Sequence, residues 1–153
     1  MKVLVISACS KTKSENVARY PWIQPKDLYN GRGHRIIQGA VEEIWDRSTC
    51  PGINNGLELH WEILSARYGF MRADSSRSDL EMYNESFPNT QGAIKEKGRA
   101  MGLWNEFIGL FDRVQPDLVL CALPAKYLFA ILSDYGVGKE GWGRSYSPGL
   151  MRP

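Results

Sequence analysis

"ILSARYGF", Ile63 to Phe70, is the stretch on which the fold turns. It begins as a core strand, with Ile63 and Leu64 followed by the small residues Ser65 and Ala66. It finishes in a cation, an aromatic ring and a glycine. The apolar pattern runs back to Leu57, which predicts a strand over 57–66 followed by a long loop over 67–89. Two other runs read the same way. Val3 to Ala8 is short, apolar and β-branched, the pattern of a strand covered on both faces. Asp117 to Leu123 repeats it with Leu118, Val119, Leu120, Cys121 and Ala122.

Helical spacing separates these runs. From His34 to about Arg47, the residues Ile36, Ile37, Ala40, Val41, Ile44 and Trp45 form one apolar stripe. From Thr90 to about Val114, Ile94, Met101, Trp104, Ile108 and Phe111 predict a single long helix. Gly92, Gly98, Gly102 and Gly109 inside it point to a close approach or a kink. Pro124 opens a third helix, to about Ser133, because proline suits a first helical turn. Residues 9–33 read as a long loop. Strands alternating with helices predict an α/β fold: a single-domain three-layer sandwich with a mostly parallel sheet over residues 1–135. A Gly-rich basic tail follows over 136–153.

With right-handed crossovers, parallel strands end on one edge of the sheet, where open α/β sheets bind ligands. Strand one ends in "SACSKTKS", with Cys9, Ser10, Lys11 and Lys13. Strand two ends in Ser65, Arg67, Tyr68 and Gly69. Strand three ends in "ALPAKY", with Lys126 and Tyr127. Hydroxyls, lysines and backbone N–H groups suit phosphate or carboxylate. Aromatic rings suit a flat ring system. The loops add carboxylates: Asp27 in "KDLYNG", Asp74 in "MRADSS", and Glu81 and Glu85 around Tyr83 in "DLEMYNESF". A carboxylate held near a sugar or base can act as general base or nucleophile.

Composition narrows the classes. At 153 residues and 43% hydrophobic, the chain is long enough for a real core. A net charge of +2 is too small to argue for nucleic-acid binding by charge alone. The three cysteines are widely spaced, without C-x-x-C, which argues against a disulfide framework or a zinc ribbon. The two histidines, His34 and His60, form no ligand pattern, so no metal or other cofactor is expected. No apolar run approaches the ~18 residues of a membrane span. A cytoplasmic, reduced protein is the expectation.

Motif tests remove three chemistries. A cysteine phosphatase needs Arg six residues after its cysteine, and Glu15 stands there after Cys9. A P-loop needs glycine five residues before Gly138-Lys139 and a hydroxyl after, and Ser133 and Glu140 occupy those places. Gly136 to Gly141 fits G-x-G-x-x-G in letters only, since it follows a helix and not a strand.

"ISACSKTK", then "KDLYNG", then "ILSARYGF" with Asp74 and Tyr83 beyond it, resembles a prokaryotic and phage domain family with no assigned activity. In that family a Cys-Ser-Lys strand end, a D-L-Y segment and an S-A-[KR]-[YH]-G strand end occur in this order. The resemblance covers residues 1–85. The cysteine-serine-lysine strand end is also similar, more remotely, to the uracil-DNA-glycosylase-like domain of archaeosine synthases. Together these imply a nucleobase or nucleoside theme. They carry over to Cys9, Ser10, Lys11, Lys13, Asp27, Tyr29, Gly31, Ser65, Tyr68, Gly69, Asp74 and Tyr83. Arg67 stands where the family often has lysine, which keeps the charge but not the geometry.

The expected function is therefore an enzyme on a nucleotide, nucleoside or nucleobase, cleaving or exchanging an N-glycosidic bond. Asp27 or Asp74 would be the base or nucleophile. Tyr29 and Tyr68 would stack on the base, and Ser10, Lys11 and Lys13 would hold phosphate. The alternative is a non-catalytic binder of a phosphorylated ligand or nucleic acid, helped by Lys139, Trp142, Arg144, Tyr146 and Arg152 in the tail. The five tryptophans also suit a homodimer contact.

Overall fold

The computed structural model describes residues 1–14, 22–49 and 56–133. Its central strand is β1 (Lys2–Ala8), where Val3, Leu4, Val5 and Ile6 are all buried. β2 (Glu58–Ser65) pairs with β1 in parallel on one side, and β4 (Leu118–Ala122) does so on the other. β3 (Gly69–Arg72) lies outside β2 and runs antiparallel to it. The chain is thus α/β, with a mixed sheet in the order β3-β2-β1-β4 among the described residues. The helices are α1 (Pro25–Leu28), α2 (Arg32–Thr49), α3 (Gln91–Ala100), α4 (Leu103–Val114) and α5 (Ala125–Ile131).

Alternate strand residues point to opposite faces. On one face, Val3, Val5, Leu59, Trp61 and Ile63 pack with Leu28 of α1 and Val41 of α2. On the other, Leu4 and Ile6 pack on Leu110 and Val114 of α4. Leu64 packs there with Phe87, Ile94, Leu103 and Tyr127. Each such side chain contributes about 1.5–3 kcal/mol by leaving water.

The opening stretch does more than end a strand. Ser65 pairs with Gly69, so Ala66, Arg67 and Tyr68 make a tight turn and the chain doubles back as β3. The backbone amides of Arg67 and Tyr68 both donate to Ser65 Oγ, at 3.1 and 3.2 Å. This local bond competes with continued strand and starts the turn. Gly69 has φ +73°, a left-handed conformation that favours glycine. The expected loop over 67–89 therefore begins with a strand. Its antiparallel direction carries Asp74 to the opposite edge of the sheet from Ser65.

The long helix expected over 90–114 is two helices. The chain breaks at Met101 and Gly102, where Gly102 takes φ +66°. Gly98 is the close approach: a Cβ there would lie 2.1 Å from the Ala130 carbonyl oxygen of α5. Gly92 and Gly109 face open space.

β4 is not covered on both faces as its apolar sequence suggests. Leu118 and Leu120 stand in register with Val3 and Val5, on the α2 side, yet are 45% and 43% exposed. α2 lies over β1 and β2 with Ile37 and Val41, and its Ile36 and Ile44 remain exposed. The expected tail residues, Lys139, Trp142, Arg144, Tyr146 and Arg152, lie outside the described residues, as does Cys50. No described helix is long and apolar enough to cross a membrane.

Candidate functional site: a buried lysine and tyrosine cluster

The site forms where β1 and β2 end side by side. β1 delivers Cys9, whose amide donates to Leu64 O at 2.9 Å, so both strand ends are held together. Beyond it the chain crosses the sheet edge. Lys13 bridges Tyr29, and Asn30 N donates to Thr12 O at 2.9 Å. This backbone pairing joins residues 12–14 to 28–30 within the expected 9–33 loop, where Lys13 and Tyr29 are buried.

Lys13 is 8% exposed. Its ammonium donates to Ser10 O at 3.0 Å and Lys11 O at 3.3 Å. It also lies 3.9 Å from the centroid of the Tyr83 ring, where the π face attracts a cation. Burial nevertheless pushes its pKa below the usual lysine value, and interaction with Cys9 opposes part of that shift. Burial thus works against the charged ammonium, while the two carbonyls and the ring face favour it.

A chain of hydroxyls surrounds it. Ser65 and Tyr83 lie 2.7 Å apart, as do Tyr83 and Tyr29. The two lone pairs of Ser65 Oγ already accept from the turn amides, so its proton goes to Tyr83 and the proton of Tyr83 goes to Tyr29. The Tyr29 O–H is left as the last donor of the chain, inside the buried cluster. Burial raises the pKa values of Tyr29 and Tyr83, so both stay neutral phenols. Tyr127, from the first turn of α5, adds a hydroxyl 3.2 Å from Cys9 Sγ, and burial raises its pKa as well. We expect Tyr83→Phe to cost about 1–3 kcal/mol, since it leaves Ser65 and Tyr29 short of a buried partner. Urea unfolding measures this. An unchanged midpoint would mean the network is not formed in solution.

A second wall comes from residues 77–83. Arg67 forms an ion pair with Glu81, and its guanidinium lies 5.5 Å from the Tyr68 ring and 5.7 Å from the Tyr83 ring. The Tyr68 hydroxyl donates to Asp79 O at 3.3 Å and accepts from Glu81 N at 3.2 Å. Tyr68 is thereby edge-on to Tyr83 at 5.4 Å.

The predicted site residues separate into three groups. Cys9, Lys13, Tyr29, Ser65, Arg67, Tyr68 and Tyr83 come together. Ser10 and Gly69 sit at the same edge with structural duties. Ser10 Oγ donates to Thr12 O at 2.6 Å and accepts from Gly31 N at 3.0 Å, and a Cβ on Gly31 would meet Ser10 Cβ at 2.6 Å. Lys11 is exposed. Lys13, spent on backbone carbonyls and an aromatic face, is not the free phosphate ligand that its sequence context suggests.

The two aspartates part company. Asp27 lines a surface cavity of about 540 Å³ with Trp22, Lys26, Tyr29, Asn30 and Arg35. Asp74 belongs to a different cavity, of about 450 Å³, on the α2 side beside Trp61 and Val41. Arg72 grips it with two bonds, 2.7 and 3.2 Å, and holds its carboxyl below the usual range. Asp74 is not in the strand-end cluster, because β3 reverses the chain before it. Trp22 and Arg35 were not among the sequence candidates. An exposed tryptophan next to Pro21 was the one available signal, and Trp22 is 62% exposed.

Among the described residues no group of His, Cys, Asp and Glu is arranged to hold a metal ion. No protein-family model, curated protein or solved structure matches this chain.

Proposed function

We propose that this protein is an enzyme acting on a nucleotide, nucleoside or nucleobase, and that it breaks or exchanges an N-glycosidic bond. The observation that carries the reading is the cavity shared by Trp22, Lys26, Asp27, Tyr29 and Arg35, which adjoins the buried Lys13–Tyr83–Ser65 cluster through Tyr29. An exposed tryptophan offers a stacking face for a base. Arg35 offers a planar fork for phosphate. Asp27 offers a carboxylate to stabilise an oxocarbenium-like transition state or to activate water. The hydroxyl chain holds Tyr29 in place as the wall between the cavity and the buried cluster. We read the two packed sheet faces as a three-layer sandwich whose mostly parallel strands set this edge, and the protein as cytoplasmic. The resemblance of the Cys-Ser-Lys, Asp-Leu-Tyr and Ser-Ala-Arg-Tyr-Gly segments to a phage and prokaryotic domain family supports the nucleobase theme.

The test is a thermal-shift screen against nucleosides, nucleotides, bases and short DNA and RNA, followed by turnover assays. Ligand at about a hundred times its dissociation constant adds about 2.7 kcal/mol of stability. We expect Asp27→Asn to keep the shift and lose turnover, while Asp74→Asn keeps both. Turnover surviving in Asp27→Asn would overturn the assignment.

Lys26 and Arg35 around the same cavity also suit a non-catalytic binder of a phosphorylated ligand or nucleic acid. That reading predicts affinity falling steeply with salt and no turnover in any variant.

A further inference from the structure

Glu62 stands in the middle of β2, inside the apolar run "HWEILS", and is 6% exposed. Its register partner on β3 is Arg72. Its side chain shares the sheet face of Leu64, toward α4. Among the described residues it makes no hydrogen bond and no ion pair, and its carboxyl oxygens are reached only from the groove. It opens into a groove of about 500 Å³ between β2, β3 and α4, lined also by His60, Phe70, Arg72, Gly109 and Arg113.

The charged groups facing Glu62 are mostly committed elsewhere. On β3 and the turn after it, Arg72 is held by Asp74. On β2, His60 pairs with Glu58 at 2.7 Å. On α4, Glu106 accepts from the Phe70 amide at 3.2 Å. Arg113 of α4 has no bonded partner among the described residues, yet lies near enough to lower the pKa of Glu62. Burial dominates that effect and pushes Glu62 up to about 7. The groove thus presents one acceptor and one donor without a bonded protein partner among the described residues, beside the ring of Phe70 and the apolar walls Leu110 and Val114. Glu106 makes an anion a poor occupant, and Arg113 makes a cation one. A few convergent polar groups in an apolar concavity are the usual make-up of a small-molecule site.

We propose that this groove is a second ligand site, for a small neutral ring whose edge carries an N–H beside a carbonyl. Glu62 accepts from the N–H, and Arg113 donates to the carbonyl. The inference is independent of the strand-end reading, whose residues it does not use.

The probe is 2-pyridone, with N-methyl-2-pyridone as the control that lacks the donor, titrated into the full chain and followed by amide NMR shifts. We expect saturable shifts at Gly109, Leu110 and Arg113 with 2-pyridone and none with the methylated ring. Glu62→Met, which can neither accept nor donate a hydrogen bond of comparable strength, should weaken binding at least tenfold. Gly109→Leu is the second variant: a Cβ there meets nothing within 4 Å, and the longer side chain should narrow the groove and block binding, with a melting temperature near wild type as the check on folding. The proposal is overturned by absent saturation, by equal response to the methylated ring, by unchanged affinity in Glu62→Met, or by shifts centred on Tyr29 and Tyr83 instead.

Discussion

Glu62→Gln should make the protein about 2 kcal/mol more stable at pH 8 and leave its stability at pH 4 unchanged. The cause is the burial of an ionisable group without a bonded partner. Glu62 titrates near 7 in the fold, against 4.5 when exposed. Between those values the unfolded chain has lost the proton while the folded chain keeps it. The folded state then binds more protons, and stability falls as pH rises through this window. Below about pH 4 the carboxyl is neutral in both states and the penalty vanishes. Above about 7 the penalty is complete, about 3 kcal/mol, because stability falls by ~1.4 kcal/mol for each pH unit crossed. Glutamine removes the charge but keeps an amide that also wants partners, which offsets part of the gain. Urea midpoints of wild type and variant at the two pH values decide the matter. A difference that does not change with pH would mean that the carboxyl is solvated or bonded in solution.

The second large effect is expected at Gly98. In an exposed helix interior, glycine to alanine adds about 1 kcal/mol of stability. At Gly98 the sign should reverse, to a loss of about 3 kcal/mol. The added methyl would lie 2.1 Å from the Ala130 carbonyl oxygen and 2.8 Å from its carbon. Both are backbone atoms and cannot rotate away, so α3 and α5 must separate. Overpacking of this kind costs roughly 1–3 kcal/mol, at the upper end where backbone must move. Gly109→Ala in α4 is the internal control, with open space at the new methyl and an expected gain near 1 kcal/mol. The separation also moves Tyr127 of α5 away from Cys9 Sγ, 3.2 Å apart in the wild type. Melting temperatures of the two alanine variants check the contrast. A rise in both would show that α3 and α5 do not approach as described.

These two positions differ in how visible they were. Glu62 was not among the sequence candidates, because a glutamate between Trp61 and Ile63 in a strand pattern does not say whether it meets a cation, water or a cavity. The glycines of the 90–114 segment look alike in sequence. Only contact with α5 separates Gly98, and only a positive φ separates Gly102.

The sequence by itself determined β1, β2, β4 and the helical character of 34–47 and 90–114, because period and turn residues act over a few neighbours; it did not determine α1, inside the expected 9–33 loop, or the break at Gly102. It also determined that hydroxyls, lysines and tyrosines gather where β1 and β2 end, since parallel strands share an edge. Tertiary structure alone decided the direction of the chain after Ser65. β3 has four residues, too few to carry a period, and exists because a Ser65-capped turn and Gly69 fold it back onto β2. That reversal removed Asp74 from the strand-end cluster and left Asp27 beside Tyr29. Tertiary structure also left Leu118 and Leu120 exposed on β4, since α2 covers only the strands it packs against. Local pattern encodes which residues want burial, but what covers them depends on where distant elements come to rest.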